Sequence, residues 1–178
     1  MSSAKKKPVT AVELMARLQS DPDWVRRNAE REQKRATAVA ELRAELKPEQ
    51  DPLLAELATV GWSVTSVWDL VNTKEKYPAA IPVLAKYLRI ARHPVLREGI
   101  ARALTVAEAR GAPAREILAE LRRRAEEPKN EARWALANAL TAAGDANMME
   151  EVEAMIADPR FQDLHAILKL VLKKIAAR

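Results

Sequence analysis

His93 and His165 are the only imidazoles in a chain of 178 residues that contains no cysteine. A zinc or copper site needs three or four ligands at short, recurring spacings, and neither histidine has a second His or Cys near it. Disulfides, thiolate metal centres and cysteine nucleophiles are excluded by composition. There is no Gly-x-Ser-x-Gly elbow, and Gly61, Gly99, Gly111 and Gly144 are too scattered to form a phosphate-cradling loop. We assign no catalytic, cofactor-binding or metal-binding residue. His93 directly precedes Pro94 and reads as a helix cap. Gly111 and Gly144 read as helix C-caps, where a residue without Cβ tolerates a left-handed backbone.

What remains is the chemistry of recognition. The net charge of +5 is unevenly spread: residues 84–124 hold ten basic and four acidic side chains, whereas 51–83 and 125–178 are slightly acidic. Lys86, Arg89, Arg92, Arg122, Arg123 and Arg124 supply most of the excess. Among the four tryptophans, Trp62 and Trp68 stand six residues apart and are expected on different sides of one helix, with at most one in the core. Trp134 is expected near the solvent boundary, and an exposed Trp often forms the centre of a protein interface.

The elements that position these groups are helical. Hydrophobic residues make up 48% of the chain, mostly Ala, Leu, Val and Ile, with aromatics at 4% and only four glycines. Strands and tight turns need more Gly and more β-branched alternation than this. No apolar run approaches the ~18 residues of a membrane span. The basic Met1–Pro8 start has no apolar stretch behind it, so no secretory signal is expected. Together with the missing cysteine this fits a cytoplasmic location.

Three segments are expected. Residues 1–9 read as a flexible tail. Residues 10–48 read as a charged helical extension: a short helix from Thr10 to Gln19, then a longer one from Pro22 to about Leu46. Asp21-Pro22 is a strong start signal, because Pro lacks the donor that would be unsatisfied there. The longer helix has a thin apolar stripe through Val25, Ala29, Ala36, Val39, Leu42 and Leu46. It is read as a solvated helix or as a coiled-coil arm that pairs with another chain. Lys47-Pro48-Glu49-Gln50-Asp51-Pro52 is expected to break the chain and open a domain over 51–178. Helices there are expected near 52–59, 63–72, 79–91, 94–109, 113–126, 130–143, 147–157 and 161–176, with Pro128 among the break signals.

That domain repeats itself. Arg97–Ala107 and Arg133–Ala143 are identical at Arg97/Arg133, Ala101/Ala137, Ala103/Ala139, Leu104/Leu140, Thr105/Thr141 and Ala107/Ala143, an offset of 36. At an offset of 34, Ala80/Ala114, Leu84/Leu118, Ala85/Ala119 and Arg89/Arg123 also match. Hairpins recurring at this period cannot bury their apolar faces alone and must stack. Pro94 to Leu104, with its second copy Asn130 to Leu140, resembles the first helix of a HEAT/armadillo repeat. The resemblance implies an all-α, short right-handed α-solenoid of three to four hairpins whose second helices line a concave side.

On that side Arg89 and Arg123 would stack about 10 Å apart at helix-packing distance, within a cationic ridge completed by Lys86, Arg92, Arg122 and Arg124. Glu116, Glu120 and Glu126 are placed to neutralise part of it, which would make it a plain solvated face. The expected function is a non-catalytic protein–protein interaction module, an adaptor, an inhibitor or an immunity-type protein, that binds an acidic partner through the ridge and Trp134. Nucleic-acid binding is the alternative, including a role like that of the HEAT-like DNA glycosylases, with Trp68 and Asp69 as the suggestive pair. The Pro22–Leu46 helix is the expected route to self-association. Reversing Arg89 and Arg123 to Glu is expected to weaken partner binding without loss of helicity.

Overall fold

Side-chain caps open many of the helices in the computed structural model, which describes residues 9–127 and 130–178. The tail expected over 1–9 therefore lies outside the described residues except at Val9, and Pro128 with its break signal lies outside them too. The described residues form α-helices joined by short 3-10 turns, with no strand among them. The all-α expectation is met. The chain divides into two compact units, Met1–Glu45 and Leu46–Arg178.

In the first unit, α1 (Ala11–Gln19) is capped by Thr10, which accepts from the Glu13 amide while the Glu13 carboxylate accepts from the Thr10 amide. This reciprocal box satisfies two otherwise unpaired donors. α1 buries no residue, and Val12, Leu14 and Met15 are exposed. Asp21 caps α2 (Pro22–Thr59) by accepting from the Asp23 amide at 2.9 Å. Val25 and Val39, part of the thin stripe, are exposed as well.

The break expected at 47–52 is absent. α2 continues through Pro48 and Pro52 to Thr59. Each interior proline removes a helix hydrogen bond and costs about 3 kcal/mol. Against this stand Leu46, Leu53 and Leu57, all buried, each worth about 1.5–3 kcal/mol. A Lys47–Asp51 ion pair of 2.7 Å also spans the first proline. Packing outweighs propensity here.

The rest of the second unit follows the expected order. It comprises α3 (Val67–Asn72), α4 (Ile81–Ile90), α5 (Pro94–Ala103), α6 (Ala112–Arg123), α7 (Glu131–Ala143), α8 (Met149–Ala157) and α9 (His165–Ala176). α3 packs on α5, α5 on α7 and α7 on α9, while α4 packs on α5 and α6, and α6 on α7. Several expected helices are shorter than anticipated, among them the last, which begins at His165 after a 3-10 turn over Pro159–Leu164. Residues 63–66 are not helical, because Ser66 is the cap of α3, so Trp62 and Trp68 do not share a helix. α5 ends at Ala103 and is followed by a 3-10 turn at Ala107–Ala109.

The core is aliphatic: Leu84, Leu88, Ile100, Leu104, Ile117, Leu121, Leu136 and Leu140 are fully buried. Leu104 and Leu140, matched in the repeat, share that state. Small residues set the helix spacing. A Cβ on Gly99 would lie 2.6 Å from Val67 Cγ1 and 3.2 Å from Trp68, so glycine lets α3 sit close on α5. Gly111 is not a C-cap. It precedes α6 at its N-cap with φ +81°, a backbone that glycine adopts without strain. Gly144 does end α7, but with φ −63° and not through a left-handed turn.

Candidate interaction surfaces

The six basic residues of the expected ridge sit on or just beyond α4 and α6, two helices that pack together. Lys86, Arg89, Arg92, Arg122 and Arg123 are exposed, and Arg124 is half-buried. Most meet a carboxylate. Lys86 Nζ lies 2.5 Å from Glu56, Arg89 Nε 3.6 Å from Glu116, and Arg122 Nη1 2.5 Å from Glu151. The Lys86–Glu56 hydrogen bond raises the lysine pKa and lowers that of the glutamate. Arg92 has no carboxylate partner among the described residues; its backbone amide, with that of His93, donates to Glu49 at 2.7 and 3.2 Å. His93 caps α5 as expected, its Nδ1 accepting from the Val95 amide at 3.2 Å.

Glu120 departs from expectation. It is fully buried, not part of a solvated face. Its carboxylate accepts from Arg123 at 2.5 and 2.9 Å and from Arg124 at 2.5 Å, and it lies 3.6 Å from Arg97 Nε. Glu126 turns away from the ridge and pairs with Arg160 at 3.0 Å. Arg97, only 3% exposed, donates to the Ala91 and Arg92 carbonyls at the end of α4 and pairs with Glu127 at 3.3 Å. Burial first, and then the charge of Arg124, lower its pKa against the opposing pull of Glu127 and Glu120. For Arg124, burial lowers the pKa, but the hydrogen bonds and charge attraction of Glu127 and Glu120 together outweigh it and raise the pKa. Arg133, matched to Arg97 in the repeat, is buried alike and donates to the Glu127 and Arg160 carbonyls at 2.8 and 2.9 Å. Arg97 thereby staples the C-terminal end of α4, where unpaired carbonyls and the helix dipole favour a cation, while Arg133 ties the turn after α6 to the 3-10 turn Pro159–Leu164.

A second surface gathers around Trp134, which is 38% exposed. It lines an open cleft of about 600 Å³ with Arg102, Asn130, Glu131, Asp163 and Leu164. The Arg102 guanidinium lies 6.0 Å from the Trp68 ring and 5.7 Å from the Trp134 ring, close enough for cation–π attraction to both. Glu98 holds Arg102 Nε at 2.8 Å. Trp68, Arg102 and Trp134 stand 34 and 32 residues apart, close to the repeat period, and that spacing was the readable sign of this ladder. Trp62 instead meets Tyr77 edge-on at 5.6 Å.

Asp69 is a capping residue. It accepts from the Thr65 and Ser66 amides at 2.9 and 3.0 Å and from the Thr65 hydroxyl. Desolvation raises its pKa, but these three hydrogen bonds together outweigh it and hold the carboxyl below its usual range. That carboxylate is committed to the start of α3. Among the described residues no helix is long and apolar enough to cross a membrane, and no His, Cys, Asp and Glu cluster could hold a metal ion. Compared with known proteins, the chain matches no family model, no curated protein and no solved structure.

Proposed function

We propose that residues 51–178 are a HEAT-like right-handed α-solenoid of three to four hairpins that binds another protein without catalysing a reaction. Serial packing of α3, α5, α7 and α9, and the matched burial of Arg97 and Arg133 against backbone carbonyls, support the stacked-hairpin part of this reading. The partner surface is acidic and meets the exposed cations of α4 and α6. One observation carries this: Arg89, Arg92 and Arg122 are exposed along two packed helices and are held by nothing stronger than surface ion pairs. Such pairs are worth about 0–1 kcal/mol each, so a partner's carboxylates can replace Glu116 and Glu151 at little cost. The field they create steers an acidic protein towards this face.

The test compares the wild-type chain with Arg89→Glu/Arg122→Glu in capture from the source cell, followed by reconstitution with the purified partner. The expected outcome is a stoichiometric complex with an acidic protein, weakened at least tenfold by the double reversal and by raising the salt. A partner held equally by both proteins, or DNA retained at low salt in place of a protein, overturns the reading.

A further inference from the structure

Ile90, the last residue of α4, is 58% exposed in a unit whose other large apolar side chains are mostly buried. It rims a cavity of about 240 Å³ whose apolar walls are Pro48, Pro52, Tyr87, Ala91 and Leu96. The two prolines stand four residues apart and so share one face of α2. Their rings present carbon to the groove. Glu49 also lines it, but its carboxylate is spent on the Arg92 and His93 amides.

Charge at the mouth is cationic. Arg89 and Arg92 flank Ile90 in sequence; among the described residues Arg92 has no carboxylate partner and Arg89 lies no closer than 3.6 Å to one. On α2, Lys47 and Asp51 cancel one another at 2.7 Å, and Glu56 is paired with Lys86 at 2.5 Å. A basic partner segment would be repelled by both arginines. A neutral apolar one would leave them without compensation.

We propose that this groove seats one large apolar side chain of an acidic partner segment, whose flanking carboxylates engage Arg89 and Arg92. The inference rests on the reading of the α4–α6 face as a surface for an acidic protein, and it adds the anchor. Apolar burial in the groove supplies affinity, and the arginines supply orientation and encounter rate.

The experiment selects peptides from a random displayed library against the full chain and measures the affinity of the winners by fluorescence anisotropy. The expected consensus is one Leu, Ile, Met, Phe or Trp with Asp or Glu within two positions. Affinity should fall at least tenfold with Ile90→Asp, with the milder Ile90→Ser and with Arg92→Glu. Trp134→Ala should leave it within twofold. Circular dichroism of each variant establishes that the fold is retained. Acidic peptides that lose affinity with Arg122→Glu but not with Ile90→Ser overturn the groove and spare the acidic-partner reading. A basic consensus, binding that depends on Trp134 alone, or no enrichment overturns the proposal outright.

Discussion

Arg89 lies 3.6 Å from Glu116, and Arg97 lies 3.6 Å from Glu120. The first pair stands in water on the α4–α6 face, with the arginine side chain 61% exposed. The second is sealed in the charge network between α5, α6 and the turn after α6, with Glu120 at 0%. Residue types and separation are the same; the surrounding dielectric is not. In water such a pair is worth about 1 kcal/mol before entropy and salt reduce it, and at an effective dielectric near 20 about fourfold more. Distance alone therefore says little about what an arginine does in this protein. The exposed face is free to exchange partners, whereas the buried network is committed to holding α4, α5 and α6 together.

The comparison breaks most visibly from the buried side. Glu120→Ala removes the buried carboxylate beside Arg97, Arg123 and Arg124 and should cost about 3–5 kcal/mol, read as a fall in the urea midpoint with an unchanged slope. A loss below about 1 kcal/mol would mean the network is wet, and the contrast with Arg89 would vanish. Arg123→Glu comes next. The repeat pairs Arg123 with Arg89, but the Arg123 guanidinium reaches inward to Glu120. Its reversal sets a second carboxylate against a buried one and should cost about 1.5–3 kcal/mol, the range of a hydrogen bond to a charged group. The reversal of Arg89 together with Arg123, attractive from the repeat alone, therefore mixes a surface effect with a core one.

That pair marks how far the sequence can be read. Helix starts were legible wherever local chemistry decides them, as at Thr10, Asp21-Pro22 and His93-Pro94. The burial of the matched apolar positions Leu104 and Leu140 was legible too. The inward turn of Arg123 and the burial of Glu120 were not, since i, i+3 and i, i+4 spacing is the same for a solvated pair and a buried one. Nor was the passage of α2 through two prolines, which depends on the burial of Leu46, Leu53 and Leu57 by other elements. Gly99 shows the same limit with the opposite sign. In an open helix Gly→Ala gains about 0.5–1 kcal/mol. Here the new methyl meets Val67 and Trp68, so Gly99→Ala should instead cost about 1–3 kcal/mol as overpacking. A stabilised variant in thermal unfolding would show that α3 sits loosely on α5.

A buried neutral group sharpens the contrast further. The Tyr77 hydroxyl donates to the Ala103 carbonyl at 2.7 Å, and Tyr77→Phe should cost about 1 kcal/mol. Burial, and then the charge of Glu108, raise the phenol above its ordinary pKa of 10.0. Because the folded value is the higher one, the contribution is fully present below pH about 10 and is lost as pH rises through the folded pKa. The lead of wild type over Tyr77→Phe in urea midpoint should therefore narrow above pH about 10, as the wild type loses ground. A constant gap would mean that the phenol titrates as it does in water.

The smallest effect is the most useful for function. Arg89→Glu combined with Arg122→Glu touches only exposed pairs, so stability should change by about 0.5 kcal/mol or less per site. Glu151 keeps a second partner in Arg115 at 2.7 Å when Arg122 is gone, which limits the loss there. The two substitutions still lower the net charge of the chain by four and reverse two cations on the α4–α6 face. Long-range attraction to an acidic protein should fall with them, most strongly at low salt, where screening is weakest. Thermal unfolding of this variant, set beside Arg123→Glu, separates the two roles on one face. If both proteins melt alike, the division between exchangeable and committed arginines fails. If the double reversal alone keeps the wild-type midpoint, its loss of partner affinity can be read as loss of recognition rather than of fold.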